Sequence, residues 1–210
     1  PRRLQLAFLH RFGILGGSVY YQIVVSSISF AIVIYTFFYF KIPNRYQFGA
    51  SSKLSYLLIP FYLFIIALLD LITIKLAKSI FNLFFQDAST WNSGLEITNE
   101  VASISIPITF VLFAIFGPIK EELLFRGIVF GEVRKKLGFM STLIYSTTIF
   151  TVIHMSFYSW NSIRAQLILG LPPVFISGLI LGMVRARHSL VHSIILHILV
   201  NAVAFWNQFK

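Results

Sequence analysis

The sequence predicts an all-α fold, a polytopic transmembrane helical bundle of about six to eight helices, and three observations carry that prediction. Charged residues are 11% of the chain and hydrophobic ones 57%, with a mean hydropathy of +0.82, whereas a soluble domain has roughly a quarter of its residues charged. Several apolar runs approach the ~20 residues that one helix needs to cross ~30 Å of hydrocarbon. Runs such as "LSYLLIPFYLFIIALLDLITI" are apolar all round, not alternating as the strands of a membrane barrel are. The formal charge of +10 sits mainly in short basic clusters at the ends of these runs. That is the positive-inside and headgroup pattern, so the expected partner is membrane lipid and not nucleic acid, and the expected place is the cell membrane, crossed several times. With no cysteine, disulfides, thiolate catalysis and cysteine-held metal are excluded.

Taken in order, the first span is expected at about 14–40 and the second at 54–74, joined by a basic loop with Lys41, Arg45 and Lys53. "KSIFNLFFQD", ending at Asp87, is too short to cross and is expected as a separate interfacial helix. The polar stretch "ASTWNSGLEITNE" divides an N-terminal unit, residues 1–100, from a C-terminal bundle, 101–210, within one integral membrane protein. A third span, about 101–116, is expected to end or kink at Gly117-Pro118, because proline disfavours helix in the residue before it. A fourth helix runs over 119–136, closed by "RKK" and Gly138, and spans follow at about 140–158, 163–184 and 190–206, the sixth bent at Pro172-Pro173. Gly178 and Gly182 form a small-xxx-small pair, read as close helix packing.

The chain has seven acidic residues, and two of them, Glu121 and Glu122, are adjacent in "GPIKEELLFRG" between apolar segments. Burying an ionised side chain in a bilayer costs at least ~2.5–3.5 kcal/mol, so intramembrane charges are functional candidates by default. Glu122 and Arg126 are four apart and pair on one helix face. Glu121 points about 100° away, without that partner, and is the candidate general base. His154, His197 and Asn201 lie on later spans, with Phe150/His154 and His197/Asn201 each four apart. Because successive spans alternate direction, Glu121, His154 and Asn201 fall in one leaflet, with His197 nearer the middle. His188 and His192 are expected at the interface, with a metal pair as the alternative. Asp70 shows no partner in the sequence.

Known ways of cutting peptides within membranes narrow the chemistry. The zinc-protease pattern H-E-x-x-H is absent. The segment Phe175–Gly178 lacks the first glycine of a Gly-x-Ser-Gly element, and Asp70 stands alone where an aspartyl site needs two aspartates. A glutamate and histidine site remains.

"EELLFR" fits E-E-x-x-x-R, "FTVIH" fits F-x-x-x-H and "HILVN" fits H-x-x-x-N, in that order on successive apolar segments. Over about 117–201 this resembles the CAAX protease and bacteriocin-processing enzyme (CPBP, or Abi) family of intramembrane endopeptidases. "HSLVHSIILHILVN" departs from the family's usual "SLWPAIxxHxxxN" by Val191-His192 in place of Trp-Pro. The resemblance implies that Glu121 with His154 activates a water and that His197 with Asn201 stabilises the oxyanion. Glu122, Arg126 and Phe150 would support the site, and the substrate would be a peptide or lipidated protein: a CAAX-type C-terminus, a peptide pheromone or a bacteriocin precursor. No cofactor is expected. Zn²⁺ held by the two carboxylates and two histidines is the alternative, since such family members have also been described as metalloproteases. A different class stays open as well, a bacteriocin-immunity factor or an ion- or proton-coupled transporter.

Overall fold

A computed structural model describes residues 19–39, 52–85, 106–154 and 166–208, and every element in them is helical. Six helices follow in order: α1 (Val19–Tyr39), α2 (Ile59–Phe85, entered through a 3₁₀ turn at Lys53–Leu58), α3 (residues 106–134), α4 (Phe139–His154), α5 (residues 166–187) and α6 (Leu190–Gln208). The polar stretch expected as the main loop lies outside the described residues, as does the basic loop before Ser52. Among the described residues three segments are long and apolar enough to cross a membrane: Lys53–Phe84, Leu167–Arg187 and Leu190–Asn207.

The distribution of polarity is the reverse of a soluble protein's. Among the described residues Leu57 is 71%, Phe64 63%, Met140 62% and Ile32 59% exposed, while Glu122, Arg126 and Ser193 are sealed inside. Large apolar side chains ringing a polar interior would incur ~25 cal/mol per Å² in water, and they incur none against lipid. The chain is an all-α membrane protein.

Two expected breaks are absent. The interfacial helix at Lys78 is the end of α2, which runs unbroken for 27 residues. Lys75 and Lys78 change the polarity of the surface, but "LITIKLAKSIFNLFF" holds no glycine or proline to stop the backbone, and the Ser79 hydroxyl bonds back to the Lys75 carbonyl at 3.0 Å. At 1.5 Å per residue α2 is about 40 Å long, so its last turns exceed ~30 Å of hydrocarbon. Polarity marks where the bilayer ends, not where the helix does.

Gly117-Pro118 does not interrupt α3 either. Two wide π-helical stretches, Val111–Phe116 and Glu122–Val129, alternate with α-helical turns along it. Entering the proline, the Gly117 N–H reaches five residues back to the Leu112 carbonyl. The next bond in that register would join Pro118 to the Phe113 carbonyl, and proline has no N–H to give. Asn201 on α6 supplies the missing donor, its Nδ2 lying 3.1 Å from the Phe113 carbonyl oxygen. A neighbouring helix satisfies the freed group, which is how membrane helices carry proline without ending. In α5 the wide turn Gln166–Gly170 likewise precedes Pro172-Pro173.

Ile59 and Ile66 of α2 close a core with Ile180, Leu181 and Val184 of α5 and Leu196 of α6, so an N-terminal helix packs directly on the C-terminal bundle. Asp70, without a partner in the sequence, accepts from the Ser177 hydroxyl of α5 at 3.1 Å. His192, expected at the interface, is 1% exposed. Its Nδ1 lies 2.7 Å from Ser189 Oγ, its Nε2 2.8 Å from Ser55 Oγ, and its ring stacks on Tyr56. His188 contacts the Tyr62 hydroxyl at 3.0 Å. This pair pins the start of α6 to the start of α2, with both His192 nitrogens engaged by hydroxyls.

Gly178 and Gly182 face α4. A Cβ on Gly178 would meet Thr147 Cγ2 at 3.0 Å and both Arg126 Nη2 and Phe150 Cδ1 at 3.2 Å. Gly178→Val is therefore expected to cost about 1–3 kcal/mol through overpacking, whereas Gly138→Ala, with nothing within 4 Å of the new methyl, is neutral. Thermal unfolding of the two variants in one detergent checks this, and equal midpoints would refute the close packing.

Candidate active site

The site grows from α3. Consecutive residues on a helix diverge by about 100°, so its two adjacent carboxylates, Glu121 and Glu122, leave towards different neighbours. Glu122 turns inward and is 0% exposed. Its Oε1 accepts from His197 Nδ1 at 2.9 Å and lies 3.2 Å from Arg126 Nη1, an ion pair by distance whose angle falls outside hydrogen-bond geometry. Its Oε2 lies 2.6 Å from Ser193 Oγ, which also approaches the Leu181 carbonyl at 3.0 Å. The hydroxyl has one proton, and the carboxylate is the stronger acceptor. Every oxygen of Glu122 is thus committed.

Arg126 is held from other sides as well. Its Nη2 donates to the Gly178 carbonyl at 3.1 Å, and its guanidinium lies 4.0 Å from the centre of the Phe150 ring. Arg185 Nε donates to the Arg126 backbone carbonyl at 3.0 Å. Phe150 in turn packs on the rings of His154, at 4.3 Å, and His197, at 6.0 Å. The expected Glu122–Arg126 pair is present, and it forms the buried scaffold on which both imidazoles rest.

Glu121 has a different surrounding. Its side chain is 21% exposed, and Oε2 lies 3.7 Å from His154 Nε2 and 3.8 Å from His197 Nε2. The proton positions follow from the partners. The Phe150 carbonyl can only accept, so His154 Nδ1, 2.7 Å away, carries the hydrogen. Glu122, paired with Arg126, accepts from His197 Nδ1. In the neutral rings both Nε2 atoms are then bare acceptors, aimed at an acceptor carboxylate. Separations of 3.7 and 3.8 Å are too long for direct bonds and suit one shared donor between the groups, as a water molecule is.

Asn201 stands one turn beyond His197 on α6, as its spacing implies, with one Nδ2 hydrogen spent on the Phe113 carbonyl. So of the residues read from the sequence, Glu121, His154 and His197 meet directly, Glu122, Arg126 and Phe150 build the wall behind them, and Asn201 ties α6 to α3 alongside. Ser193, Arg185 and the Gly178 carbonyl complete the wall and were not singled out by sequence. Ser193, four residues before His197 on α6, carries a faint spacing signal, and the other two carry none.

Glu122 is engaged by Arg126, His197 and Ser193, and among the described residues no group of three or more histidine, aspartate or glutamate side chains is arranged to hold a metal ion.

Residues 103–203 match the family described as Type II CAAX prenyl endopeptidase Rce1-like. Over these residues, just under half of its length, the chain is similar to that family. The protein named "Putative membrane peptidase YdiL" of Bacillus subtilis (strain 168) is 36% identical over 65 residues, which are 29% of this chain and 27% of that protein. The chain thus matches about a quarter of that relative's length. No solved structure matches. The CAAX-protease match ends two residues beyond Asn201 and takes in all of α3, α4, α5 and most of α6, the four helices that supply every side chain of the site.

Proposed function

We propose that this protein is a multi-pass intramembrane endopeptidase of the cell membrane that hydrolyses a peptide bond at or within the bilayer, using a water activated by Glu121 and His154. The observation that carries the reading is the convergence of Glu121 Oε2 on two imidazole Nε2 atoms, at 3.7 and 3.8 Å, too far for direct bonds and close enough for one water to lie among them. A water there gives one hydrogen to Glu121 and the other to His154.

In the reaction, Glu121 takes a proton as the water oxygen bonds to the scissile carbonyl carbon. The carbonyl oxygen becomes an oxyanion. His197 meets it from Nε2 and, since its Nδ1 hydrogen is given to Glu122, does so as an imidazolium that has taken its second proton from solvent and keeps it through the reaction. Asn201 offers its remaining N–H. Collapse breaks the C–N bond, and the proton held by Glu121 passes to the leaving nitrogen. A positioned base is worth about 10²–10⁴ in rate, and loss of one oxyanion donor costs about 10²–10³.

The family description favours a CAAX-type C-terminus as substrate, a lipidated cysteine followed by three residues. Peptide pheromones and bacteriocin precursors share its chemistry, an apolar peptide presented at the membrane. Protein reconstituted in vesicles is expected to cleave such a peptide in H₂¹⁸O with one ¹⁸O in the new carboxyl group, and to do so in the presence of a strong chelator. Absence of cleavage would favour an immunity factor or transporter instead, and chelator sensitivity would favour the metal-dependent alternative.

A further inference from the structure

Lys120 is the one charge of "KEE" that the catalytic arrangement does not use. Its Nζ lies 3.4 Å from Ser29 Oγ of α1, and among the described residues no carboxylate stands within ion-pair distance of it. Ser29 is ten residues from either end of the 21-residue α1, hence about 15 Å from each end. Lys120 therefore meets α1 at the middle of its described length and not at an end, where lysines reach towards headgroups. A cation is thereby placed at mid-depth of an apolar helix, beside a hydroxyl that supplies no charge. Intramembrane charge of this kind marks a binding site for an opposite charge.

Its position relative to the reactive carboxylate indicates which charge. Lys120 and Glu121 are consecutive on α3, so their side chains diverge by about 100° and their charged tips stand roughly 10 Å apart. Both are part-exposed, whereas Glu122 beside them is sealed. Three extended residues cover about 10 Å. A peptide bond held at Glu121 with three residues following it would bring its terminal carboxylate to the Lys120 ammonium. Phe30 of α1, stacked on Phe116 of α3 at 4.5 Å, provides an apolar surface next to that point.

We propose that Lys120 binds the free C-terminal carboxylate of the substrate and so measures three residues from the terminus to the cleaved bond. This rests on the endopeptidase reading above and adds the rule by which it selects its bond. The test compares a farnesyl-cysteine tetrapeptide ending in a free acid with the same peptide ending in an amide, cleaved by the wild-type protein, Lys120→Met and Lys120→Arg in vesicles. The wild type is expected to prefer the acid by about tenfold or more in kcat/KM. In Lys120→Met that ratio falls to near one, and in Lys120→Arg it is largely kept. A wild-type ratio near one, or a ratio in Lys120→Met equal to the wild type's, overturns the role of Lys120 while leaving the endopeptidase reading intact. No cleavage of either peptide by the wild type removes that reading and this one with it.

Discussion

Glu121→Gln is expected to reduce kcat/KM for peptide hydrolysis by about 10³-fold or more while leaving the protein folded. The amide has the shape of the acid but neither accepts a proton from water nor carries the charge that draws water between His154 and His197. At 21% side-chain exposure, with no direct hydrogen bond to either ring, Glu121 contributes little to the packed interior, so the thermal midpoint should move by no more than a degree or two. The neighbouring Glu122→Gln provides the contrast, since that oxygen pair anchors Arg126, His197 and Ser193. It should lose both activity and stability. Cleavage assays of purified protein beside melting curves in the same detergent separate the two cases, and hydrolysis at the wild-type rate by Glu121→Gln would end the assignment of the base.

That two adjacent glutamates divide the work in this way was partly legible in the sequence. The spacing of Glu122 and Arg126 fixes their pairing on any helix, and the 100° step to Glu121 separates it from that pair. The fold class followed from composition alone, because apolar runs of bilayer length have few other solutions. What the sequence concealed were consequences of contacts between helices. Gly117-Pro118 has the local signature of a break, and only Asn201, 88 residues away, explains why the helix continues. The same contact gives Asn201 a structural duty that its H-x-x-x-N spacing does not reveal. Lys75 and Lys78 resemble a helix boundary because they change the surface polarity, while the backbone continues for want of a terminator. His192 resembles an interfacial residue because histidines near helix starts usually are, and its burial depends on Ser55 and Tyr56 arriving from the 3₁₀ turn before α2. Such partners lie 88 to 137 residues apart and leave no local periodicity to read.

The largest effect on stability is expected at Arg126→Met. Arginine at this position meets Glu122, the Gly178 carbonyl and the face of Phe150 at once. Methionine fills much of the volume and provides none of the donors. Glu122, 0% exposed, would then hold a charge with only Ser193 and His197 beside it, and removal of one partner from a buried pair costs about 3–5 kcal/mol. Lysine should rescue little, because a point ammonium cannot serve the carboxylate and the carbonyl in one plane while lying over an aromatic ring. The informative variant removes both charges. Glu122→Leu with Arg126→Met leaves no orphaned ion, and replacement of a whole buried pair by apolar groups is often close to neutral, so the double variant should recover a good part of the lost stability. It should recover no activity, since His197 Nδ1 loses the acceptor that orients its ring towards Glu121. Melting in a fixed detergent and peptide cleavage, measured on the two single variants and the double, decide the matter. Additive losses of stability would mean that the two charges are not coupled, and a stable double variant that still cleaves would mean that the buried pair does not position His197 for the reaction.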